Sequence, residues 1–352
     1  MAGRTIQRQG AHQDTDLVSS RTRSGMQNSQ HRSAGRIVDL IHGVLGLHEG
    51  YRTLHADGRL YRGVFQANEE ARRFSRAIHL NGDVVPATVR FSKGGGDPFA
   101  HFSATVGMAT RFYLPDGDIT NLVMLSQKLF VARSIEEFIE LVTVAQPTAP
   151  GAGPNLPALQ AFLKTNPRVA NVFRMRAESA APVSFAHTAF HAIHAFRFIN
   201  AEDKVTHLRV HWEPVGGVLG QFASELAQAS PSVLFDELDA RLAEAPIAFN
   251  LVVELAEPGD PLDDPTTLWP AGRKLVTIGR LEVRAPTTEQ EIGDRVMNHD
   301  PSKLTDGIEA TDDPILQIRR GVYEVSAAQR TGGWRACPFG AGQTSPSNGH
   351  CE

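Results

Sequence analysis

The spacing of apolar residues changes several times along the chain, and each change predicts a switch between helix and strand. Apolar positions recur every three or four residues, as on one face of a helix, in residues 36–42, 68–78 and 158–178. Ser134 followed by Glu137 is typical of a helix N-terminus, and this helix should end near Pro147. A further helix is predicted to begin at Pro231.

Short runs of β-branched and aromatic residues, separated by turn signals such as the Pro-Asp-Gly at 115–117, predict β-strands. These runs cover residues 84–91, 107–114, 119–125, 128–132, 195–199, 205–212, 247–255 and 274–283. Closing a sheet removes its exposed edges. We therefore expect an α+β fold in which about eight antiparallel strands form a closed barrel, with helices in the connections.

Both ends of the chain contain few of the large apolar side chains that a folded segment needs. Residues 1–34 are rich in Arg, Gln, Ser and Gly, and residues 331–352 are rich in Gly, Pro and Ser. Such sequences cannot offset the entropy that is lost on ordering. We therefore expect one folded domain at residues 35–330 between two disordered tails.

The overall composition narrows the range of partners. The 352 residues are 41% hydrophobic and 21% charged, and a net charge of -4 gives no general attraction to nucleic acid or anionic membranes. The two cysteines, Cys337 and Cys351, lie in the last 16 residues, so disulfides do not cross-link the body of the fold. No apolar run is long enough for a membrane span or a secretory signal. We expect a cytoplasmic protein without nucleic-acid or membrane partners.

One segment near the C-terminus contains residues with a possible chemical role. Pro314 suits the first turn of a helix, and Arg319 and Tyr323 would then lie on the same helical face. A phenol with an ordinary pKa of about 10 is a poor ligand at neutral pH, but a neighbouring guanidinium and a ferric ion both favour the phenolate. Taken alone, such a pair is more often an ordinary packed helix surface.

The residues around this pair resemble the proximal helix of haem catalases. The matching positions are Pro301, Leu304, Gly307, Ile308, Asp313, Leu316, Gln317, Arg319 and Tyr323. In catalases a tyrosine ligates the haem iron. The resemblance implies that Tyr323 is the axial ligand of haem b, that Arg319 hydrogen-bonds to its oxygen and that Arg330 binds a haem propionate.

A second segment resembles the distal strand of catalases. It consists of residues 52–58, followed by Tyr61, Gly63 and Phe65. The resemblance implies that His55 is the acid/base and that Arg52 binds a propionate, since an imidazole can take a proton from peroxide and return it. Outside this frame a lone histidine is more often structural. Asp57 stands where the family has Lys, and we expect its side chain to point away from the haem and contribute little.

Residues 88–98 contain three consecutive glycines that superficially resemble a phosphate loop. No Lys-Ser/Thr follows the glycines, which argues against nucleotide binding. The segment is instead similar to the Arg-Phe-Ser segment of catalases, in the short form found in catalase-related peroxidases. The resemblance implies that Arg90 binds a propionate and that Ser92 orients His55. It also places Phe130 and Phe138 against the porphyrin, although an ordinary core role explains these two equally well.

Residues 121–126 contain the clearest departure from the catalase pattern. Catalases place an Asn here that helps to hold peroxide, whereas this sequence has Leu125, or Ser126 if the register is shifted by one residue. A leucine cannot donate a hydrogen bond to peroxide. We therefore expect weak catalase activity and better peroxidase activity with an external electron donor.

The chain ends 29 residues after Tyr323, whereas full catalases continue into a wrapping segment and a helical domain. By comparison with them we expect a shorter and wider channel to the haem, which would admit organic hydroperoxides. We also expect no bound NADPH, and a monomer or a small homo-oligomer.

The resemblance thus implies a haem-dependent peroxidase that reduces hydrogen peroxide or organic hydroperoxides with a small-molecule electron donor. Two alternatives stay open: an isomerase or lyase of fatty-acid hydroperoxides on the same haem site, and a non-enzymatic haem-binding protein. A competing zinc site is also conceivable, because His187, His191 and His194 would lie near one face of a helix. No Glu or Cys stands where a known zinc signature would place it.

Overall fold

The computed structural model describes residues 32–332 except 101, 102, 104, 150, 151 and 295. Eight long antiparallel strands form its centre. They are β1 (Gly58–Ala67), β2 (Val84–Lys93), β3 (Val106–Tyr113), β4 (Ile119–Leu125), β5 (Phe190–Ile199), β6 (Val205–Pro214), β7 (Ile247–Leu255) and β8 (Leu275–Thr287).

The strands pair in the order β5-β4-β3-β2-β1-β8-β7-β6, and β6 pairs again with β5. This last pairing closes the sheet, so the predicted closed antiparallel barrel of eight strands is confirmed. Large side chains fill the interior, as expected for a barrel of this size. Phe65 and Phe112 meet there edge to face, with ring centroids 5.1 Å apart.

Helices occupy the connections between strands and the C-terminal end of the described chain. They are α1 (residues 32–45), α2 (Ile135–Val144), α3 (Leu156–Thr165), α4 (Pro167–Glu178), α5 (Ala223–Gln228), α6 (Val233–Glu244), α7 (Glu289–Ile292) and α8 (Pro314–Arg330). Ser134 caps α2 as predicted, because its Oγ accepts a hydrogen bond from the Glu137 amide at 3.2 Å.

Helices α1, α2 and α8 pack together outside the barrel. Ile37 and Ile41 of α1 are buried against Ile318 of α8, with Phe138 of α2 at the edge of the same cluster. This packing leaves a cavity between the helices and one end of the barrel. No helix in the described part of the chain is both long enough and apolar enough to cross a membrane.

Three predicted elements differ from the structure. The helix predicted at 68–78 is replaced by short 3-10 turns, Glu69–Arg73 and Ile78–Leu80, because the backbone between them bonds elsewhere; the Arg76 amide donates to the Ile199 carbonyl at 2.9 Å. The helix predicted at 158–178 breaks before Pro167, which lacks an amide hydrogen.

The strand predicted at 128–132 is wrong. This segment is irregular, because the Phe130 amide donates to the Pro265 carbonyl at 2.9 Å and not to a neighbouring strand, while Leu129 and Val131 are buried in a cluster with α2, α3 and α4. The strand β1 takes its place in the barrel, so the number of strands is unchanged.

The two predicted tails fall largely outside the described residues, as do Cys337 and Cys351. Residues 32–34, which we assigned to the N-terminal tail, are helical, and Ala34 is fully buried beneath α8. The folded body therefore includes residues 32–34.

Candidate active site

A cavity with about 1300 Å³ of space, part of it open to solvent, lies between α8 and one end of the barrel. The side chains of Tyr323 and His55 both line it. Two walls of different construction line this space.

The first wall is a chain of hydrogen bonds that begins at the N-terminus of α8. Asp313 caps the helix through Oδ1, and its Oδ2 accepts from His194 Nδ1 at 2.6 Å. Arg319 then donates from Nη1 to His194 Nε2 at 3.1 Å and from Nη2 to the Tyr323 oxygen at 2.7 Å. One buried carboxylate is thereby connected to the phenol through an imidazole and a guanidinium.

This connection fixes which ring nitrogen of His194 carries the proton. Because Arg319 can only donate, His194 must accept at Nε2 and carry its proton on Nδ1, toward Asp313. Burial lowers the pKa of His194, and the hydrogen bond to Asp313 opposes that shift. The guanidinium is therefore held in place against the phenol oxygen of Tyr323.

The second wall carries His55 on an irregular segment just before β1. Its Nδ1 lies 3.0 Å from the hydroxyl of Ser92, at the end of β2. Gly107 of β3 makes room for this pair, because a Cβ there would lie 2.8 Å from His55 Nδ1 and 2.9 Å from Ser92 Oγ. With Nδ1 directed at the hydroxyl, the other ring nitrogen is free to act on a bound molecule.

His55 is a neutral base over the whole physiological pH range. Burial first, and the positive charges of Arg90 and Arg319 next, lower its pKa to about 3. A neutral imidazole can accept a proton, whereas an imidazolium cannot.

Three arginines converge at one edge of the cavity. Arg52 and Arg330 both lie near Glu289, at 3.4 and 3.8 Å, and both donate to the carbonyl of Met297. Arg90 is buried and forms no salt bridge with any described residue; it donates to the Ala56 carbonyl at 3.2 Å. Burial and the neighbouring cations hold the pKa of Arg90 well below its ordinary value.

Comparisons with known proteins agree on one family. Residues 50–336 match the family model described as Catalase. The chain is 38% identical to a catalase-related peroxidase from Mycolicibacterium paratuberculosis over 84% of its own length and 94% of that protein, and 32% identical to one from Synechococcus elongatus over 85% and 88%.

The chain belongs to the catalase family. It is therefore an oxidoreductase, and the resemblance deduced from its motifs is confirmed. A solved structure titled as that of a bacterial catalase shares the fold, with a TM-score of 0.71 at 20% identity over 86% of this chain and 62% of that one.

The residues present fit the haem that catalase-family proteins generally bind. The three arginines have one carboxylate partner among the described side chains, so two positive charges are left over, and haem carries two propionates. Buried His299 is a second indication that an anionic group binds here. Its Nε2 has no hydrogen-bond partner in the described structure, while Arg52 contacts its Nδ1 at 3.5 Å. An anionic group at this edge would satisfy both features.

The remaining predicted residues also lie at the cavity. Phe130 and Phe138 line it and stack on each other, with centroids 5.5 Å apart. Leu125 lines the cavity too, whereas the hydroxyl of Ser126 accepts from the Val106 amide at 3.1 Å. Of the two candidates that the sequence left, Leu125 lines the cavity and Ser126 does not.

The three histidines that suggested a zinc site are separated in the structure. His187 bonds to the Gly217 carbonyl at 2.9 Å, and His191 contacts His211 at 2.9 Å between their Nδ1 atoms. His194 instead belongs to the chain that ends at Tyr323. No group of three metal-binding side chains occurs among the residues that the structure describes.

Sequence reasoning missed several residues of the site. His194 and Glu289 were not assigned to it, and neither was the space that Gly107 provides. His194 was considered only as a member of a histidine group. An alternating pattern does not show that it faces inward, because the register of β5 shifts between His191 and Ala195.

Proposed function

We propose that this chain is a haem-dependent peroxidase that reduces hydrogen peroxide or organic hydroperoxides with an external electron donor, and that it has weak catalase activity. The observation that carries the proposal is that a single cavity is lined both by a neutral base, His55, and by a phenol, Tyr323, whose oxygen accepts a hydrogen bond from Arg319. The names of the two most similar relatives reported above support the same activity.

The cavity offers a separate partner to each part of haem b. Tyr323 would ligate the iron, while Arg52, Arg90 and Arg330 would bind the propionates. Phe130 and Phe138 would pack against the porphyrin. When bound, haem would supply the redox chemistry that no side chain of the protein can provide.

The protein's own contribution is proton transfer at His55. We assign the proton to Nδ1, which would donate it to the Ser92 hydroxyl 3.0 Å away, so that Nε2 presents a lone pair to the cavity. This nitrogen can take the proton from a peroxide and return it to the departing oxygen. Ser92 holds the ring in the orientation that this exchange requires.

Leu125 sets the balance between the two activities. A catalase must also oxidise a second peroxide, which is helped by a hydrogen-bond donor beside His55. Leu125 offers no donor, so the second peroxide is held poorly and an external reductant competes well.

Replacing His55 by Ala tests the proposal. We expect the first spectral change of the haem-loaded protein after mixing with hydrogen peroxide to slow by about 10²–10⁴-fold. His48→Ala is the matched control, because His48 lies on the same segment but does not line the cavity. An unchanged rate in His55→Ala, or an isolated protein whose optical spectrum shows no tyrosinate haem after reconstitution, would overturn the assignment.

A further inference from the structure

His55 has a strained backbone. Its φ is 54°, and among the described residues only Asp203 shares a positive φ without being glycine. A non-glycine residue in this region is strained and persists only where its surroundings hold it. The segment from His55 to Asp57 must therefore be fixed by contacts outside itself.

Those contacts come from the end of β2 and the turn that follows. The Ala56 amide donates to the Gly95 carbonyl at 3.3 Å, and the Lys93 amide donates to the Asp57 carbonyl at 2.9 Å. The side chains of Asp57 and Lys93 add an ion pair, with 2.8 Å between Oδ2 and Nζ.

Lys93 is 6% exposed, so its ammonium is almost wholly removed from water. Besides Asp57 it donates to the carbonyls of Ala100 and Pro231, at 2.9 and 3.0 Å. Its three hydrogens thus have three acceptors. A buried ion pair is weak support for stability, since desolvation offsets much of its attraction. A role in fixing local geometry explains better why a charge is buried here.

The position of the pair is what makes it informative. Asp57 follows His55 by two residues, and Lys93 directly follows Ser92, whose hydroxyl contacts His55 Nδ1 at 3.0 Å. The ion pair therefore connects the two segments that carry the two ends of that hydrogen bond. This corrects our expectation that Asp57 contributes little.

We propose that Asp57 and Lys93 are positioning residues, whose partly buried ion pair holds the His55 imidazole and the Ser92 hydroxyl in register. The inference rests on the proposed function, because it assigns the pair to the base of that reaction. Neither residue lines the cavity, so both act through His55 and Ser92.

Cyanide binding to the haem-loaded ferric protein provides a test that does not depend on turnover. Hydrogen cyanide must give up its proton to a base beside the iron, so its association rate reports the position of His55. Asp57→Asn and Lys93→Met should each slow association about tenfold or more, as expected when a base is displaced. The double variant should be no slower than either single variant, because the two residues act as one pair.

A second readout follows the imidazole itself. With zinc protoporphyrin in place of haem, nitrogen NMR of ¹⁵N-histidine-labelled protein reports which His55 nitrogen carries the proton. The wild type should show one tautomer, with the proton on Nδ1, whereas both variants should show a mixture. Lys93→Arg, which keeps the charge, should retain more of the wild-type tautomer than Lys93→Met does.

Arg273→Met is the matched control. Arg273 forms a comparable partly buried ion pair with Asp260 at 2.8 Å, but neither residue lines the cavity. It should lower the unfolding temperature while leaving cyanide association within twofold. The proposal is wrong if Asp57→Asn and Lys93→Met lose stability in the same way but keep the wild-type cyanide rate and tautomer. Should Lys93→Met fail to fold, Asp57→Asn, which preserves size and shape, decides alone.

The failure of the proposed function would look different. In that case His55→Ala would bind cyanide as fast as the wild type. The NMR readout would still show whether the ion pair orients the imidazole.

Discussion

The two walls of the cavity present their functional side chains in opposite ways. Tyr323 sits on a regular helix of 17 residues, and its partner Arg319 is one turn away. His55, by contrast, has a strained backbone and lies outside any helix or strand. Its position depends on contacts with residues about 37 positions away in the sequence. One wall is rigid because of its own secondary structure, and the other because of what surrounds it.

This difference predicts how each wall responds to substitution. On α8, loss of one side chain should leave the helix intact and change only what that side chain does. In the His55 segment, loss of a supporting contact should release backbone strain and move the base. Substitutions in the first wall should therefore change the chemistry of the site, whereas substitutions in the second should change the position of His55.

Tyr323→Phe should have the largest effect, because it removes the oxygen that would ligate iron and leaves the helix unchanged. Loss of an outer-shell partner costs about 10–100-fold in metal affinity, and loss of the ligand itself should cost more. The rate of haem transfer to apomyoglobin measures this loss. Tyr113→Phe, which removes a hydroxyl 3.2 Å from Thr88 outside the cavity, should transfer haem at the wild-type rate. Equal rates for the two variants would exclude Tyr323 as the ligand.

Two substitutions of Asp313 distinguish the chemical role of α8 from its structural role. Asp313→Ala removes the helix cap and leaves buried His194 without its partner, so we expect a loss of about 3–5 kcal/mol in the free energy of unfolding. Asp313→Asn should keep the cap, yet its amide would donate to His194 Nδ1 and reverse the tautomer, as Asp→Asn does in serine proteases.

Denaturant titration and the optical spectrum of the haem-loaded protein distinguish the two variants. Asp313→Asn should retain most of the stability and shift the spectrum, because Arg319 can no longer donate to His194. If Asp313→Asn has the wild-type spectrum, the chain of hydrogen bonds does not reach the phenol oxygen.

The fold was more predictable from the sequence than the site was, and the reason is physical. Strand and helix patterns are local, so seven of the eight barrel strands and α8 were found from spacing, although residues 128–132 were misassigned. Contacts such as Asp57 with Lys93, or His194 with Asp313, join residues 36 and 119 positions apart, and no periodicity reports them. His55 and Tyr323 were identified because whole motifs resembled a family, not because either residue is informative alone.

The register shift in β5 shows the limit most clearly. Alternation gives His191 and His194 opposite faces and a helix gives them the same one, but neither pattern says which histidine reaches the cavity. The register shift lies between His191 and Ala195, with no glycine to mark it. Only the closed barrel, in which β5 pairs on both sides, makes this position recognisable.

Leu125→Asn should have a moderate effect and acts on the distal wall without disturbing its strain. A new amide beside His55 should raise the rate of oxygen release from hydrogen peroxide by about fivefold, the value of one net hydrogen bond of about 1 kcal/mol. Leu125→Ala opens the same space without a donor and should not raise the rate. Oxygen-electrode measurements compare the two variants. A similar gain in Leu125→Ala would mean that access, not hydrogen bonding, limits the catalase reaction.

The smallest expected change is with pH, and it separates the distal base from an ordinary histidine. The active form of His55 is neutral, and its pKa of about 3 keeps it neutral from pH 8 to pH 5. The rate of the first spectral change with peroxide should therefore vary by less than about twofold over this range. With a base whose pKa is 6.5, the rate would fall about 30-fold by pH 5.

The lowered pKa of His55 also makes the folded protein less stable in acid. Below about pH 6.5 the unfolded chain binds a proton at His55, whereas the folded chain does not. The free energy of unfolding therefore falls as the pH drops, by up to about 1.4 kcal/mol per pH unit for this group. Circular dichroism at each pH therefore has to accompany the rate measurement. A rate that falls near pH 6.5 while the protein stays folded would show that His55 is more hydrated than its buried setting implies, or that a different histidine is the base.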